Sequence, residues 1–163
     1  MTLAPARTVG TPGIDRFTPA QLLRTARLFA SDPALPTLLD RGSADRQWAE
    51  LDSSAALQVW LIAWPAGTDT GWHDHGDAAG AFVTVQGALQ EQTWSGGRLQ
   101  ERRLTAGAGR AFGGQHVHHV ANAGTQAALS VHVYAPRLTR MARYALSPTG
   151  PRRTGVERAG ADW

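Results

Sequence analysis

The chain has 163 residues and no cysteine, and its 16 positive charges are all arginine. That length suits one domain with a real core, and the missing cysteine excludes disulfide scaffolds, thiolate metal sites and cysteine nucleophiles. A hydrophobic share of 42% with 18% charge argues against disorder, and a net charge of +3 without basic–aromatic runs predicts no nucleic-acid partner.

Residues 1–17, rich in Thr, Pro and Gly, read as a mobile arm, and Met1 to Gly10 lack the apolar core of a signal peptide. No apolar run approaches the roughly 18–20 residues that span a bilayer, so a cytoplasmic protein without membrane contact is expected. Thr18-Pro19-Ala20-Gln21 predicts a helix start, with Thr as N-cap, Pro at N1 and Gln at N3. Leu22, Leu23, Ala26, Leu28 and Phe29 give that helix an apolar stripe, Ser31-Asp32-Pro33 ends it, and a second short helix is expected over Leu35 to Asp40.

From Leu57 the pattern turns to short β-branched and aromatic runs: Leu57–Trp64, Gly80–Gln86, Ala88–Trp94, Arg98–Leu104, Val117–Ala121 and Ala128–Tyr134. Ser95-Gly96-Gly97 predicts a hairpin turn between two of them. Strands at this spacing indicate a sandwich or small barrel. A closing helix is expected over Leu138 to Leu146, and the Pro/Arg/Gly tail from Pro148 to residue 163 reads as a second mobile arm. The whole of 1–163 is therefore expected to be one domain, dominated by β structure with short N-terminal helices.

All six histidines fall between His73 and His132. His73-Asp74-His75 puts two imidazoles at i and i+2, which on a strand share one face. His116 and His118 repeat that spacing, while His119 points the other way. Three neutral imidazoles converging inside a barrel make a metal site with positions left open for substrate or oxygen.

The glycines around them are informative. Gly67, five residues, His73-x-His75, four residues, Gly80, six residues, Gly87 resembles the first cupin motif, with Gly80 where that motif has glutamate. His118, three residues, Asn122 resembles the end of the second motif, although Gln115 stands at a usual glycine position. With Ser130-Val131-His132-Val133-Tyr134-Ala135-Pro136, the chain resembles the cysteine dioxygenase family of thiol dioxygenases from about Asp45 to Tyr144. The resemblance implies a cupin, a double-stranded β-helix barrel, in agreement with the strand pattern.

It also implies Fe(2+) held by His73, His75 and His118, with His116 the rival for the third position. The spacing to Asn122 favours His118. Tyr134 matches the family's active-site tyrosine, His132 would hydrogen-bond its hydroxyl, and Ser130 would orient His132. Alternation on one strand gives those three a common face. For the substrate carboxylate the sequence offers Arg46 and Gln47 side by side. An ungapped count from Trp64 selects Gln47, and a one-residue gap selects Arg46, which Ala135-Pro136 favours.

The expected reaction is oxidation of L-cysteine by O2 to cysteine sulfinic acid. The alternatives are a 3-mercaptopropionate dioxygenase, a nickel or manganese cupin enzyme, which the glycine at 80 disfavours, and a non-catalytic metabolite-binding cupin. The expected partners are a small-molecule thiol and O2, and a monomer is the expected state. Mammalian-type members carry a cysteine crosslinked to the tyrosine; Gly80 stands there, so Tyr134 is expected to be unmodified.

Overall fold

A computed structural model describes residues 17–40 and 42–159. The arm expected over residues 1–17 lies, apart from Phe17, outside them. The helix α1 runs Pro19–Ala30 and starts as the sequence predicts: Thr18 and Gln21 form a reciprocal capping box, and Ser31 caps the other end. The second helix is only a 3-10 turn over Leu35–Thr37.

Eleven strands follow: β1 Gln47–Ser53, β2 Gln58–Trp64, β3 Trp72–His73, β4 Ala79–Gln86, β5 Ala88–Ser95, β6 Arg98–Thr105, β7 Gly109–Phe112, β8 His118–Ala121, β9 Ala128–Ala135, β10 Arg140–Ser147 and β11 Gly150–Arg158. They form two sheets, ordered β1-β2-β9-β4-β7 and β11-β10-β3-β8-β5-β6. Between β5 and β6, Gly96 and Gly97 both take positive φ, as a two-residue hairpin turn requires.

Strand β9 is central to the first sheet and buried along its whole length. Its odd-numbered residues Leu129, Val131 and Val133 pack with Leu22 and Ala26 of α1. Its even-numbered residues Ser130, His132 and Tyr134 therefore face between the sheets, beside Trp64, Phe82 and Phe112. The helix seals the outer face, so period-2 alternation divides β9 between core and site. No helix among the described residues is long and apolar enough to cross a membrane.

Two expectations are overturned at the C-terminal end. The helix expected over Leu138–Leu146 is strand β10, and the tail expected to be mobile from Pro148 continues as β11 through Arg158. β10 pairs with β11 on one side and with the two-residue strand β3 on the other. Helix propensity in this Arg- and Ala-rich stretch is worth only tenths of a kcal/mol per residue, roughly, and the open edge of β3 outweighs it.

Candidate metal centre and the cavity above it

His73 lies at the end of β3, His75 two residues on, and His118 opens β8, where it pairs directly with His73. All three are buried, and one ring nitrogen from each lies within 4.8 Å of the others. His73 Nδ1–H donates to the Gly71 carbonyl at 3.0 Å, and His118 Nδ1–H donates to Glu91 Oε1 at 2.9 Å. Both bonds leave Nε2 as the free lone pair.

His73 Nε2 and His75 Nε2 stand 3.1 Å apart. Two nitrogens bound at right angles to one ion, with bonds of about 2.1 Å, stand about 3.0 Å apart. Burial, reinforced by the neighbouring imidazoles, lowers the pKa of His73 and His75 well below the ordinary value. Burial lowers His118 too, against the pull of Glu91. Three neutral imidazoles with inward lone pairs fit a transition-metal ion.

The backs of two of these ligands, His73 and His118, are hydrogen-bonded, whereas His75 Nδ1 is buried without a partner. Glu91 Oε1 accepts from both His118 and His116, the latter at 3.3 Å, and Oε2 accepts from Arg110 Nε at 2.7 Å. Burial alone would raise the Glu91 pKa, but the two histidine hydrogen bonds and the Arg110 charge outweigh it and hold the carboxylate ionised. Asp74, between the first two ligands, accepts from the backbone of Gly76 and Ala142 and from the Tyr144 hydroxyl. Asn122 ties the Trp64 and Gln126 carbonyls together and so braces the barrel.

His116 is not on a strand face with His118, contrary to the spacing argument. It sits in the irregular segment before β8, just after Gln115 at φ 63°, and reaches Glu91 from there. His119 faces away, 3.2 Å from Asp69 and stacked on Trp72.

Along β9 the three polar residues connect as the alternation requires. Ser130 Oγ lies 2.8 Å from His132 Nε2, and His132 Nδ1 lies 3.2 Å from the Tyr134 hydroxyl. Burial, then the charges of His118 and Arg46, lower His132 to about 3, so the ring is neutral. Burial raises the Tyr134 pKa well above the ordinary phenol value.

His73, His75, His118, His132 and Tyr134 all line one cavity of about 140 Å³, walled by Trp60, Trp64 and other apolar side chains. Arg46 reaches into it, its guanidinium 5.2 Å above the Trp64 ring and its Nη1 donating to the Asp69 carbonyl at 2.8 Å. Gln47 begins β1 opposite Ala63 and is not among the lining residues. A second guanidinium, Arg143 on β10, also lines the cavity, donates to the neighbouring Thr70 carbonyl at 2.9 Å, and pairs with Glu157. No acidic side chain lines the cavity among the described residues.

Gly80 explains itself by close approach: a Cβ there would lie 2.5 Å from Phe112 Cε2 and 3.0 Å from Tyr134 Cδ1. The Phe112 ring fills the place where the cupin motif has a carboxylate.

Sequence reading missed Glu91, Arg143 and Phe112. Glu91 left a trace, because it shares strand parity with the buried Leu89. Arg143 left none, since its stretch read as a helix.

A profile of the family described as Cysteine dioxygenase type I matches residues 34–147. No curated protein matches the chain significantly. Among solved structures, an uncharacterized protein with a double-stranded β-helix domain from Klebsiella pneumoniae is similar at 16% identity and TM-score 0.55, covering 65% of this chain and 90% of that one. A cupin superfamily protein from Desulfitobacterium hafniense gives 13% identity, TM-score 0.55, and the same coverage of 65% and 90%. An oxalate oxidase solved with glycolate gives 17% identity and TM-score 0.55, over 69% of this chain and 62% of that one. At these identities the structural likeness shows the double-stranded β-helix fold.

Proposed function

Because the chain belongs to the cysteine dioxygenase type I family, we propose that it is an iron-dependent thiol dioxygenase that converts a small thiol carboxylate and O2 into the sulfinic acid. L-Cysteine is the first expected substrate. The observation that carries this is the opening of the three buried histidines and the Tyr134 hydroxyl into one cavity that also holds two guanidiniums.

The balance is simple: the thiol loses its S–H proton, and sulfur takes both oxygen atoms, so no outside reductant is needed. Fe(2+), when bound by His73, His75 and His118, supplies the one-electron chemistry that lets O2 react with a thiolate.

The protein's own groups supply position and protons. Arg46 suits the substrate carboxylate, since its guanidinium is stacked on Trp64 and anchored to the Asp69 carbonyl. Arg143 offers further N–H donors beside it. Tyr134, protonated at working pH, can hydrogen-bond to the substrate thiol or to oxygen, with its angle set by His132. The apolar walls exclude water from the reacting sulfur.

3-Mercaptopropionate is a second reading, favoured by one feature: among the described residues no carboxylate lines the cavity to receive an ammonium group. Oxygen uptake by iron-loaded protein with each thiol, followed by mass spectrometry of the product, tests both. Gain of two oxygen atoms on L-cysteine is the expected result. Faster turnover of 3-mercaptopropionate moves the assignment to that acid, and no uptake with either thiol overturns the enzyme reading.

A further inference from the structure

Three neutral histidine ligands leave a bound divalent ion with its full charge, and Gly80 removes the carboxylate a cupin usually contributes. A carboxylate is nevertheless built in one shell further out. Glu91 sits on β5 with its side chain 1% exposed, and Oε1 accepts from His118 Nδ1 at 2.9 Å. Burying a lone carboxylate is costly, so this one is surrounded: Arg110 holds Oε2, and His116 shares Oε1.

We propose that Glu91 is the positioning residue for the metal centre, holding the His118 ring by its Nδ1–H and returning negative charge to the metal through that ring. This rests on the reading of His73, His75 and His118 as the metal ligands. An ionised partner on Nδ1–H makes the opposite nitrogen a better donor and fixes the ring plane. The charge that the motif's glutamate gives directly is thus delivered through His118. Phe112 occupies the space at Gly80 and so bars the direct route.

The arrangement also explains His116. It lies outside β8, yet it turns back to the same carboxylate oxygen as His118, with ring centroids 5.0 Å apart. His116 therefore steadies Glu91 and is not itself a ligand.

The test is thiol-free Fe(2+) titration of the metal-free protein, with electron paramagnetic resonance of the nitric oxide adduct of the loaded protein. Glu91→Gln keeps the shape and an acceptor oxygen but removes the charge. The expected outcome is about 10- to 100-fold weaker Fe(2+) binding and an altered resonance spectrum. His116→Ala should lose less affinity than Glu91→Gln. If Glu91→Gln misfolds because Arg110 is left unpaired, the double variant Glu91→Gln/Arg110→Gln removes both charges and should show the same weakening.

Unchanged affinity and spectrum in a folded Glu91 variant would overturn the proposal. So would a second iron per chain in the natural protein that disappears in His116→Ala, since Glu91 would then be a ligand. Because no thiol is present, lack of thiol oxidation would sink the dioxygenase reading and leave this result standing.

Discussion

Trp64 Nε1 lies 2.8 Å from Ser130 Oγ, and an indole N–H can only donate, so Ser130 is the acceptor. Ser130 is wholly buried, and its own proton finds its acceptor in His132 Nε2. The neutral ring then carries its proton on Nδ1 and donates to the Tyr134 oxygen, leaving the Tyr134 O–H free for the cavity. The reverse direction would leave a buried serine proton unpaired, at a cost of about 1–3 kcal/mol. The face of the same Trp64 ring carries the Arg46 guanidinium, so one side chain supports both the cation and, through its edge N–H, the proton chain.

Tyr134→Phe should therefore lower turnover by about 100-fold or more, because it removes the cavity-lining hydroxyl that His132 orients. Iron retention should be unchanged, since no ligand is touched. Initial oxygen uptake and iron per chain measure the two effects. Lost iron in this variant would mean that the hydroxyl supports the metal site and not the reaction.

The cation pair should act on binding. A charge-assisted hydrogen bond is worth about 1.5–3 kcal/mol, so Arg46→Ala should raise KM for a thiol carboxylate about 10- to 100-fold. Arg143→Ala should act in the same direction. Gln47→Ala should leave KM within about twofold, because Gln47 does not line the cavity. Cysteamine, which lacks the carboxylate, serves as the control thiol, and its KM should be insensitive to Arg46→Ala.

At Gly80 the prediction concerns packing. Gly80→Cys places its Cβ against Phe112 and Tyr134, and overpacking of this kind costs about 1–3 kcal/mol. The melting temperature should fall by several degrees, about 2–12 °C. Adding Phe112→Ala opens the space and should remove the clash, although it leaves a cavity of its own. Calorimetry of the three proteins decides. An undisturbed melting temperature in Gly80→Cys would show that Phe112 yields freely. Intact mass of the natural chain should equal the unmodified sequence.

The metal-free protein should lose stability in acid. His132 titrates at about 3 in the folded chain and at about 6.5 when unfolded. Below about 6.5 the unfolded chain takes up a proton that the folded one refuses, so this contribution is full above that pH and shrinks as pH falls toward 3. Denaturant unfolding between pH 7 and pH 4 should show the decline, and His132→Phe should make it shallower, the remainder coming from His73, His75 and His118, which burial also holds neutral. An equal slope in the two proteins would place the acid sensitivity elsewhere.

Much of the site was legible because it is local. The helix start at Thr18, the hairpin at Gly96-Gly97 and the common face of Ser130, His132 and Tyr134 follow from turn chemistry and from the two-residue repeat of a strand. The set His73, His75 and His118 came from motif spacing, and the fold brings those three together. Three strands escaped notice: β1, the two-residue β3 and the four-residue β7, the last two too short to show alternation. The hairpin of β10 and β11 was misread because local propensity favours helix while the open edge of β3 demands a strand.

The sequence by itself determined the start of α1, the turn at Gly96-Gly97 and the polar face of β9, since each depends on spacing within a short stretch. Only the tertiary structure turned Arg46 and not Gln47 into the cavity, brought Glu91 behind His118, laid Arg143 beside the cavity, and packed Phe112 over Gly80. Those contacts join residues on different strands. They depend on sheet register and on which face closes over the site, which free-energy differences summed over the whole barrel select.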